Sequence, residues 1–215
     1  MESMSRDKGQ ERSTTTNLLV YLETLTKLVN EGHSVDVLYL NFAKAFEKVP
    51  HGRFLDKCWG LGVEGKVLTW IGEWLANREQ RVILNGEKSE WKEVLLGVPQ
   101  GSVLGPTLFL IFSNDIDEVA RVADSILLKF ADDTKLGVVV EEQREALQEA
   151  IRGLEGWAEK WQMEFNAGKC HVLHLGRGNR EYSYTMGGVE LASVESEKDV
   201  GVMIHSSMKP ALQCT

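Results

Sequence analysis

Apolar positions recur at helical spacing in several segments of the chain. Leu18, Leu22, Leu25 and Val29 fall on one stripe of a predicted helix that ends near Gly32, and Ser13 and the threonines after it can cap its start. Residues 141–163 place Leu147, Ile151, Leu154, Ala158 and Trp161 on one face, which predicts a long amphipathic helix. Residues 43–74 also favour helix, in two pieces broken by Gly60, Gly62 and Gly65.

Short β-branched and aromatic runs alternate with these helical segments. VDVLYLNF and KCHVLHLG are typical of buried strands. Three runs predict hairpins: QRVILNGEKSEWKEVLL around Asn85-Gly86, ILLKFADDTKLGVVV with Asp132-Asp133 at its tip, and YSYTMGGVEL around Gly187-Gly188. Pro106 suits the first turn of a helix through LFLIFSNDI, since it has no N–H to leave unpaired.

Composition agrees with a folded chain but argues against one class of partner. With 215 residues, 43% hydrophobic and 26% charged, the chain can build one good-sized core. Its formal net charge of −8 does not favour nucleic-acid binding through bulk electrostatics, because phosphate contacts need clustered Lys and Arg. The three cysteines, Cys58, Cys170 and Cys214, are too far apart for a disulfide framework, so a reducing compartment, cytoplasmic or nuclear, is the default expectation.

One uncharged stretch is a candidate membrane-spanning segment. Residues 94–114 carry no charge and are about long enough to span a bilayer. Glycines and prolines interrupt the stretch, and a lipid-exposed helix would leave its backbone unsatisfied there. We therefore expect no membrane partner.

The adjacent acids Asp132 and Asp133 are the main candidates for chemistry. Like charges side by side repel unless water or a cation compensates them, and carboxylates are ligands that Mg²⁺ prefers. Two such ions can activate an attacking hydroxyl and stabilise a leaving pyrophosphate. The alternative is that both are solvated turn residues, since Asp is common in turns.

Four blocks around this pair resemble motifs A to D of reverse transcriptases of non-LTR, LINE-type retrotransposons such as the jockey and chicken-repeat groups. The blocks are LYLNFAKAFEKVPHGRFLDK, GVPQGSVLGPTLFLIFSNDI, KFADDTKL and WAEKWQMEFNAGKCHVLHLG. YTMGGVELASVESEKDVGVMI is similar to the primer grip, and MKPALQC to the entry of the thumb. Order and spacing agree from about Ser13 to the last residue.

The resemblance implies roles for single residues. Asp132 and Asp133 would be the metal-site carboxylates, with Asp132 the preferred direct ligand, and Lys169 would protonate or neutralise the departing pyrophosphate. Phe46 would be the steric gate against ribonucleotides, and Gly187 and Gly188 would belong to the primer grip. The nucleotide- and template-binding loop would be Pro99, Gln100 and Gly101. Each role has a structural alternative. Phe46 could simply pack in the core. Residues 99–101 could be an ordinary loop that leads into a helix, and Lys169 could be a solvated surface lysine.

Two positions depart from the family pattern. At Asn41 the family has an aspartate that would bridge both metals, whereas an amide oxygen coordinates without net charge. Losing one preorganised electrostatic contact should lower the rate at least about 10²- to 10³-fold, roughly 3 to 4 kcal/mol. Glu47 replaces a second aspartate and keeps the charge. We expect an impaired polymerase; the alternatives are a catalytically dead module that binds nucleic acid, or a non-functional transposon relic.

The implied fold is α+β, the palm of right-hand polymerases, with an antiparallel sheet of about four strands backed by helices on one face. We expect a disordered segment over residues 1–12, the palm with partial fingers over 13–205 and the start of a truncated thumb over 206–215. The implied cofactor is a pair of Mg²⁺ ions, and the implied partners are an RNA template, a DNA primer and deoxynucleoside triphosphates. Further fingers and thumb, or a partner chain, would complete the grip.

Two other groups of residues are weaker candidates. Cys170 and His174 should lie on one side of their strand and His171 on the other, so they are expected to be ordinary strand residues rather than a zinc site. Arg78, Arg81 and Lys92 around the first hairpin form either a phosphate-contacting patch or a solvated face.

Overall fold

The computed structural model describes residues 14–122, 125–130, 133–199 and 201–208. Its helices are α1 (Thr14–Asn30), α2 (Ala45–Lys48), α3 (His51–Gly60), α4 (Gly65–Leu75), α5 (Leu104–Phe112), α6 (Ile116–Val119) and α7 (Val140–Trp161), with a 3₁₀ turn at Ala167–Lys169. None of the helices in the described ranges has the length and apolar character needed to cross a bilayer.

Five of the strands build one sheet. The strands are β1 (Val35–Leu40), β2 (Glu79–Gln80), β3 (Ile83–Leu84), β4 (Glu87–Lys88), β5 (Lys92–Glu93), β6 (Ile126–Phe130), β7 (Asp133–Val139), β8 (His171–Leu175), β9 (Thr185–Met186), β10 (Val189–Glu190), β11 (Ala192–Val194), β12 (Ser196–Asp199) and β13 (Val202–His205). The sheet order is β11-β8-β1-β7-β6, and the other strands form two-stranded hairpins or ladders. β1 is the central strand, and all six of its residues are buried.

The chain divides into two compact units, and the first contains the sheet. This unit comprises the described residues of segments 1–41, 117–156 and 165–215. Tyr21 and Leu25 of α1 pack on Val35 and Val37 of β1, and Ile204 of β13 joins the same core. Burial of apolar side chains on this face, at about 25 cal/mol per Å² of apolar area, holds α1 and β13 against the sheet.

The second unit consists of residues 42–116 and 157–164 and is mainly helical. Its core contains a buried cation. Lys57 Nζ is 2.5 Å from Asp115 Oδ1 and also donates to the carbonyl of Phe112. The same ammonium lies 3.9 Å from the ring centroid of Trp161 and 4.7 Å from those of Trp157 and Phe112. Paired and enclosed by aromatic faces, Lys57 avoids the desolvation cost of an unpaired buried charge.

Most elements predicted from the sequence are present. α1 and α7 follow the two apolar stripes, and Asn85 and Gly86 form the hairpin turn with φ of 50° and 89°, which is the left-handed pair that a type I′ turn requires. Residues 43–74 form three helices rather than two. The extra break is at Val49, with φ −58° and ψ 115°, because the residue before a proline is driven out of the helical region.

The sheet differs from the expected four antiparallel strands only at one edge. β8, β1, β7 and β6 are antiparallel, whereas β11 adds to β8 in parallel. A parallel neighbour needs a crossover connection, and here the crossover contains the β9–β10 hairpin predicted around Gly187-Gly188. β11 and the following β12–β13 hairpin were not predicted, because their residues, ASV and SEKDVGVMIH, show little apolar alternation.

Candidate active site

Asn41 and Asp133 lie opposite each other at the ends of two adjacent strands. The β1–β7 register pairs Leu40 with Thr134, so the next step pairs Asn41 with Asp133. Opposed residues on neighbouring antiparallel strands have Cβ atoms about 5 Å apart. Both residues line a polar cleft of about 60 Å³. Asp132 lies outside the described residues, so its predicted place beside them stays a prediction.

A short segment between α7 and β8 holds Lys169 in the same cleft. The carbonyl of Asn41 accepts a hydrogen bond from Asn166 N at 2.8 Å, and the carbonyl of Asn166 accepts one from Lys169 N at 2.8 Å. Asn41 N donates to the buried thiol of Cys170 at 3.4 Å. Burial raises the pKa of Cys170, which keeps it a neutral thiol. The end of β1 and the 3₁₀ turn bearing Lys169 are therefore fixed to each other, and Lys169 lines the cleft.

The β12–β13 hairpin closes the other side of the cleft with Glu197, Lys198 and Asp199. Sequence reasoning missed these residues. It chose Gly187 and Gly188 from the same primer-grip block, and neither is among the residues that line the cleft. Both glycines form the β9–β10 turn with positive φ, and Gly187 N donates to the carboxylate of Glu155 on α7. Their primer-grip role stays a prediction.

A buried carboxylate on β1 anchors the strand that ends in Asn41. Asp36 accepts hydrogen bonds from His174 Nδ1 at 2.7 Å, Asn179 Nδ2 at 2.8 Å and Tyr184 OH at 2.8 Å. Burial raises the pKa of Tyr184, and so does the neighbouring Asp36. His174 Nε2 is 3.0 Å from Ser193 Oγ, which links β11 to the network. A lone acid inside the apolar run VDVLYL was the available signal for this anchor.

The serine at the end of that network resembles the nucleophile of a hydrolase triad, but its surroundings favour structure. His174 lies between Asp36 and Ser193 with both ring nitrogens in contact. Ser193 belongs to the edge strand β11. Its hydroxyl satisfies the Nε2 atom of the buried imidazole of His174.

The predicted gate and the predicted nucleotide loop both belong to the second unit, where they are joined. The ring of Phe46 stacks on Phe109 with centroids 4.9 Å apart. Its carbonyl accepts a hydrogen bond from Val98 N at 2.7 Å. Gly97, with φ +86°, permits this contact, because an added Cβ would lie 2.6 Å from the carbonyl oxygen of Glu47. The segment that carries Phe46 is thus bound to the start of the loop.

The loop itself is closed by local hydrogen bonds. Ser102 Oγ donates to the carbonyl of Pro99 at 2.7 Å and accepts from Gly105 N at 2.9 Å. Gly101 has φ +81° with open space around its Cα, so its conformation rather than contact requires glycine. Pro99 and Gln100 line a larger groove with Arg78 and Leu96. Pro99 and Gln100 therefore lie beside a groove, and the contact of Pro99, Gln100 and Gly101 with template and nucleotide stays a prediction.

Two of the three basic residues around the first hairpin, Arg78 and Arg81, have internal partners. Arg78 donates to the carbonyl of Leu75 at 2.9 Å and to that of Gly97, and burial lowers its pKa. Arg81 lies over the ring of Trp91 with its guanidinium 4.4 Å from the centroid. Arg78 thus serves the fold, which leaves Arg81 and Lys92 for the predicted patch.

The described residues at the end of the β1–β7 pair supply part of the ligand set that a pair of divalent ions would need. Asn41 offers one hard oxygen and Asp133 two, with a single charge between them, whereas two ions close together are held by several carboxylates. Within the described ranges, no group of three or more His, Cys, Asp or Glu side chains is arranged to hold a metal ion. Cys170, His171 and His174 accordingly form no such site. His171 contacts Glu197 and His174 contacts Asp36, on opposite sides of β8 as predicted.

Comparison with known proteins gives consistent relatives. A family model described as reverse transcriptase (RNA-dependent DNA polymerase) matches residues 5–200. The RNA-directed DNA polymerase from mobile element jockey of Drosophila funebris is 33% identical over 180 residues, which cover 79% of this chain and 19% of that protein. The jockey polymerase of Drosophila melanogaster is 32% identical over 154 residues, covering 68% of this chain and 17% of the relative.

Solved structures give the same fold at low sequence identity. Telomerase from Candida tropicalis, in complex with a fragment of telomeric RNA, matches with a TM-score of 0.63 and 10% identity, covering 98% of this chain and 35% of that one. Telomerase from Candida albicans, in a similar complex, matches with a TM-score of 0.59 and 12% identity, covering 92% of this chain and 34% of that one. The palm-like α+β architecture is therefore confirmed.

Proposed function

We propose that this chain, which belongs to the reverse transcriptase (RNA-dependent DNA polymerase) family and is of the LINE type, is the palm-centred part of an enzyme that copies RNA into DNA. The chain spans 19% and 17% of the two jockey polymerases it matches, so their activity is carried over as a proposal. The observation that carries it is the convergence of Asn41, Asp133 and Lys169 on one cleft from three distant segments.

The predicted site residues of the two units suggest a division of tasks. Lys169 would neutralise charge that develops on a departing pyrophosphate, because a preorganised cation stabilises such charge at little reorganisation cost. Phe46 would select the sugar, and Pro99, Gln100 and Gly101 would contact the template base and the nucleotide. The partners would be an RNA template, a DNA primer and deoxynucleoside triphosphates. The telomerase structures with a similar fold are complexes with a fragment of telomeric RNA, which supports a nucleic-acid partner.

Asn41 sets the expected level of activity. The family generally uses divalent metal ions, and Mg²⁺ is the ion that carboxylate and phosphate oxygens suit best. With an amide at position 41, Asp133 is the only carboxylate at the end of the β1–β7 pair among the described residues. We therefore propose a slow polymerase, lower in rate by at least about 10²- to 10³-fold than a form with aspartate there.

Primer extension tests the proposal. An RNA template with an annealed DNA primer is incubated with deoxynucleotides and Mg²⁺, using this chain alone and this chain replacing the matching segment of the jockey polymerase. Asn41→Asp should raise incorporation by the factor given above, and Asp133→Asn should abolish it in the same background. Normal incorporation with Asn41 in place would contradict the impairment, and no incorporation by Asn41→Asp in the replaced polymerase would contradict the function.

A catalytically dead binding module is the second candidate, and Asn41 is the observation that favours it. Filter binding of an RNA–DNA hybrid with and without Mg²⁺ separates the two. Hybrid retained equally in both conditions, together with no extension by Asn41→Asp, would support binding alone. Absence of any hybrid binding by a folded chain would support a relic.

A further inference from the structure

One peptide group of the second unit joins the segment of Phe46 to the start of the predicted nucleotide loop. It is the peptide between Gly97 and Val98, both of which are buried. Its N–H, on Val98, donates to the carbonyl of Phe46 at 2.7 Å. Its oxygen, on Gly97, is contacted by the side chains of His51 and Arg78. The peptide is thus held at one end by two side chains and at the other by the backbone of the predicted gate.

The two side chains reach the Gly97 oxygen from different elements. His51 is the first residue of α3, and its Nε2 is 2.9 Å from that oxygen. Arg78 follows α4; its Nη2 donates to the same oxygen and lies 3.1 Å from His51 Nε2, while its Nε donates to the carbonyl of Leu75 at 2.9 Å. A carbonyl oxygen has two lone pairs, so it can accept from both donors when the imidazole carries its hydrogen on Nε2.

The planarity of the peptide transmits this constraint to Phe46. Because the peptide bond resists twisting, the direction of the Gly97 C=O determines the direction of the Val98 N–H. Gly97 has φ +86° and the wide conformational freedom of glycine, so a released oxygen would let the whole peptide rotate. Rotation would turn the N–H away from the Phe46 carbonyl. His51 and Arg78 therefore act on the backbone of Phe46 through this peptide.

The ring of Phe46 depends on the same backbone. It stacks on Phe109 with centroids 4.9 Å apart and planes inclined by 29°. A Cβ added at Gly97 would lie 2.7 Å from the Phe46 carbonyl oxygen, so the two segments are packed backbone against backbone. A shift of about 1 Å in an active site can change a rate by about 10²-fold. A steric gate that must detect one hydroxyl group is sensitive to such a shift.

We propose that His51 and Arg78 are positioning residues for sugar selection, which fix the Gly97–Val98 peptide and so hold the ring of Phe46 where it excludes the 2′-hydroxyl of a ribonucleotide. The inference rests on the proposed function and on the predicted role of Phe46 as the gate. Loss of either donor should therefore change the preference between the two sugars, and not only the overall rate.

Single-nucleotide incorporation measures this preference. The parent is the jockey polymerase whose matching segment is replaced by this chain carrying Asn41→Asp. The values of kcat/KM are determined for dCTP and for CTP opposite a template guanine. The variants are His51→Ala, His51→Gln, Arg78→Ala, Phe46→Ala and the double variant of His51→Ala with Phe46→Ala. Cys58→Ala is the matched control, because Cys58 is fully buried on the same helix as His51 and is not a donor to the peptide.

We expect His51→Ala to lower the ratio of kcat/KM for dCTP to that for CTP by about 10-fold, which is about what one hydrogen bond can contribute. Arg78→Ala should act in the same direction. His51→Gln keeps an N–H donor of similar reach and should restore most of the ratio. Cys58→Ala should leave the ratio unchanged. Adding His51→Ala to Phe46→Ala should not alter the ratio further, because both changes act through the same ring.

Other outcomes overturn the proposal. If His51→Ala and Arg78→Ala slow the two nucleotides equally, the side chains serve the fold alone. A further change of the ratio on adding His51→Ala to Phe46→Ala would mean that His51 acts by another route. If His51→Ala does not fold by circular dichroism, His51→Leu, which fills the space without a donor, is measured in its place, and failure of both to fold assigns His51 to the core.

Failure of the proposed function is distinguishable from failure of this inference. A parent that incorporates neither nucleotide contradicts both. Incorporation with a ratio that Phe46→Ala leaves unchanged contradicts the gate and the inference but leaves the polymerase function intact. A ratio that responds to Phe46→Ala and not to His51→Ala or Arg78→Ala contradicts the inference alone.

Discussion

Removing the carboxylate of Asp36 should destabilise the first unit more than any other single change in its hydrogen-bond network. Asp36 is fully buried and accepts bonds from His174, Asn179 and Tyr184. In Asp36→Ala the three donors differ in whether another hydrogen-bond acceptor remains. Asn179 Nδ2 keeps the carbonyl of Leu175 at 3.0 Å, whereas Tyr184 OH and His174 Nδ1 lose their partner in a buried site.

The expected loss of stability follows from the number of buried donors that lose their acceptor. A buried donor left unsatisfied costs about 1–3 kcal/mol, and a hydrogen bond to a charged group is at the upper end. Two buried donors without an acceptor therefore predict a loss of about 3–5 kcal/mol in the free energy of unfolding. Ser193→Ala is the matched control, because it removes only the outermost bond of the same network. It should cost about 1 kcal/mol.

Urea unfolding followed by circular dichroism measures both variants. The shift of the midpoint, multiplied by the slope of the transition, gives the loss for each variant at an unchanged slope. A loss below about 1 kcal/mol for Asp36→Ala, or one equal to that of Ser193→Ala, would show that the network does not anchor β1. Tyr184→Phe should fall between the two, since it removes one donor together with its bond.

Three further predictions concern other parts of the chain. Lys57→Ala in the second unit should cost about 3 kcal/mol by urea unfolding, because it breaks a buried ion pair and empties the space between three aromatic rings; no loss would show that the cation is dispensable. Gly97→Ala should destabilise by at least about 1 kcal/mol more than Gly86→Ala, since both have positive φ but only Gly97 would bring a Cβ within 2.6 Å of a carbonyl oxygen; equal losses would refute the contact. Burial acts to raise the pKa of Glu141, but hydrogen bonds to its carboxylate, including that from Ser34 N at 3.0 Å, together lower it below its usual value. Its stabilisation is therefore present above the unfolded pKa of about 4.3 and lost as pH falls through the lower folded value, so Glu141→Gln should be less stable at pH 7 but differ little at the lowest pH.

Sequence periodicity predicted the elements whose stability is local. α1 and α7 have continuous apolar stripes, and Asn85-Gly86 specifies its own turn, so each is determined by residues close in the chain. The family motifs then predicted which strand ends meet. Asn41, Asp133 and Lys169 do line one cleft.

The remainder depends on contacts that no local pattern contains. β12 is polar along its length, and it is held by Asp199 on Lys135 and by Glu197 near His171, partners distant in sequence. Asp36 likewise interrupts an apolar strand and is satisfied by residues beyond position 170. Hydrophobic periodicity does not predict such buried polar contacts, because charged side chains ordinarily indicate a solvated face.

The central place of β1 in the sheet also determines when the protein can fold. Asp36 meets His174 across 138 residues, and Asn41 meets Cys170 across 129. During synthesis the six residues of β1 emerge before those of β7 and β8, and β1 cannot pair until both strands have followed. Contacts between residues so far apart in the chain slow folding, and they leave an apolar, aggregation-prone strand exposed in the meantime. The nascent chain should therefore need protection, by a chaperone or by α1 packing on it, until β8 has left the ribosome.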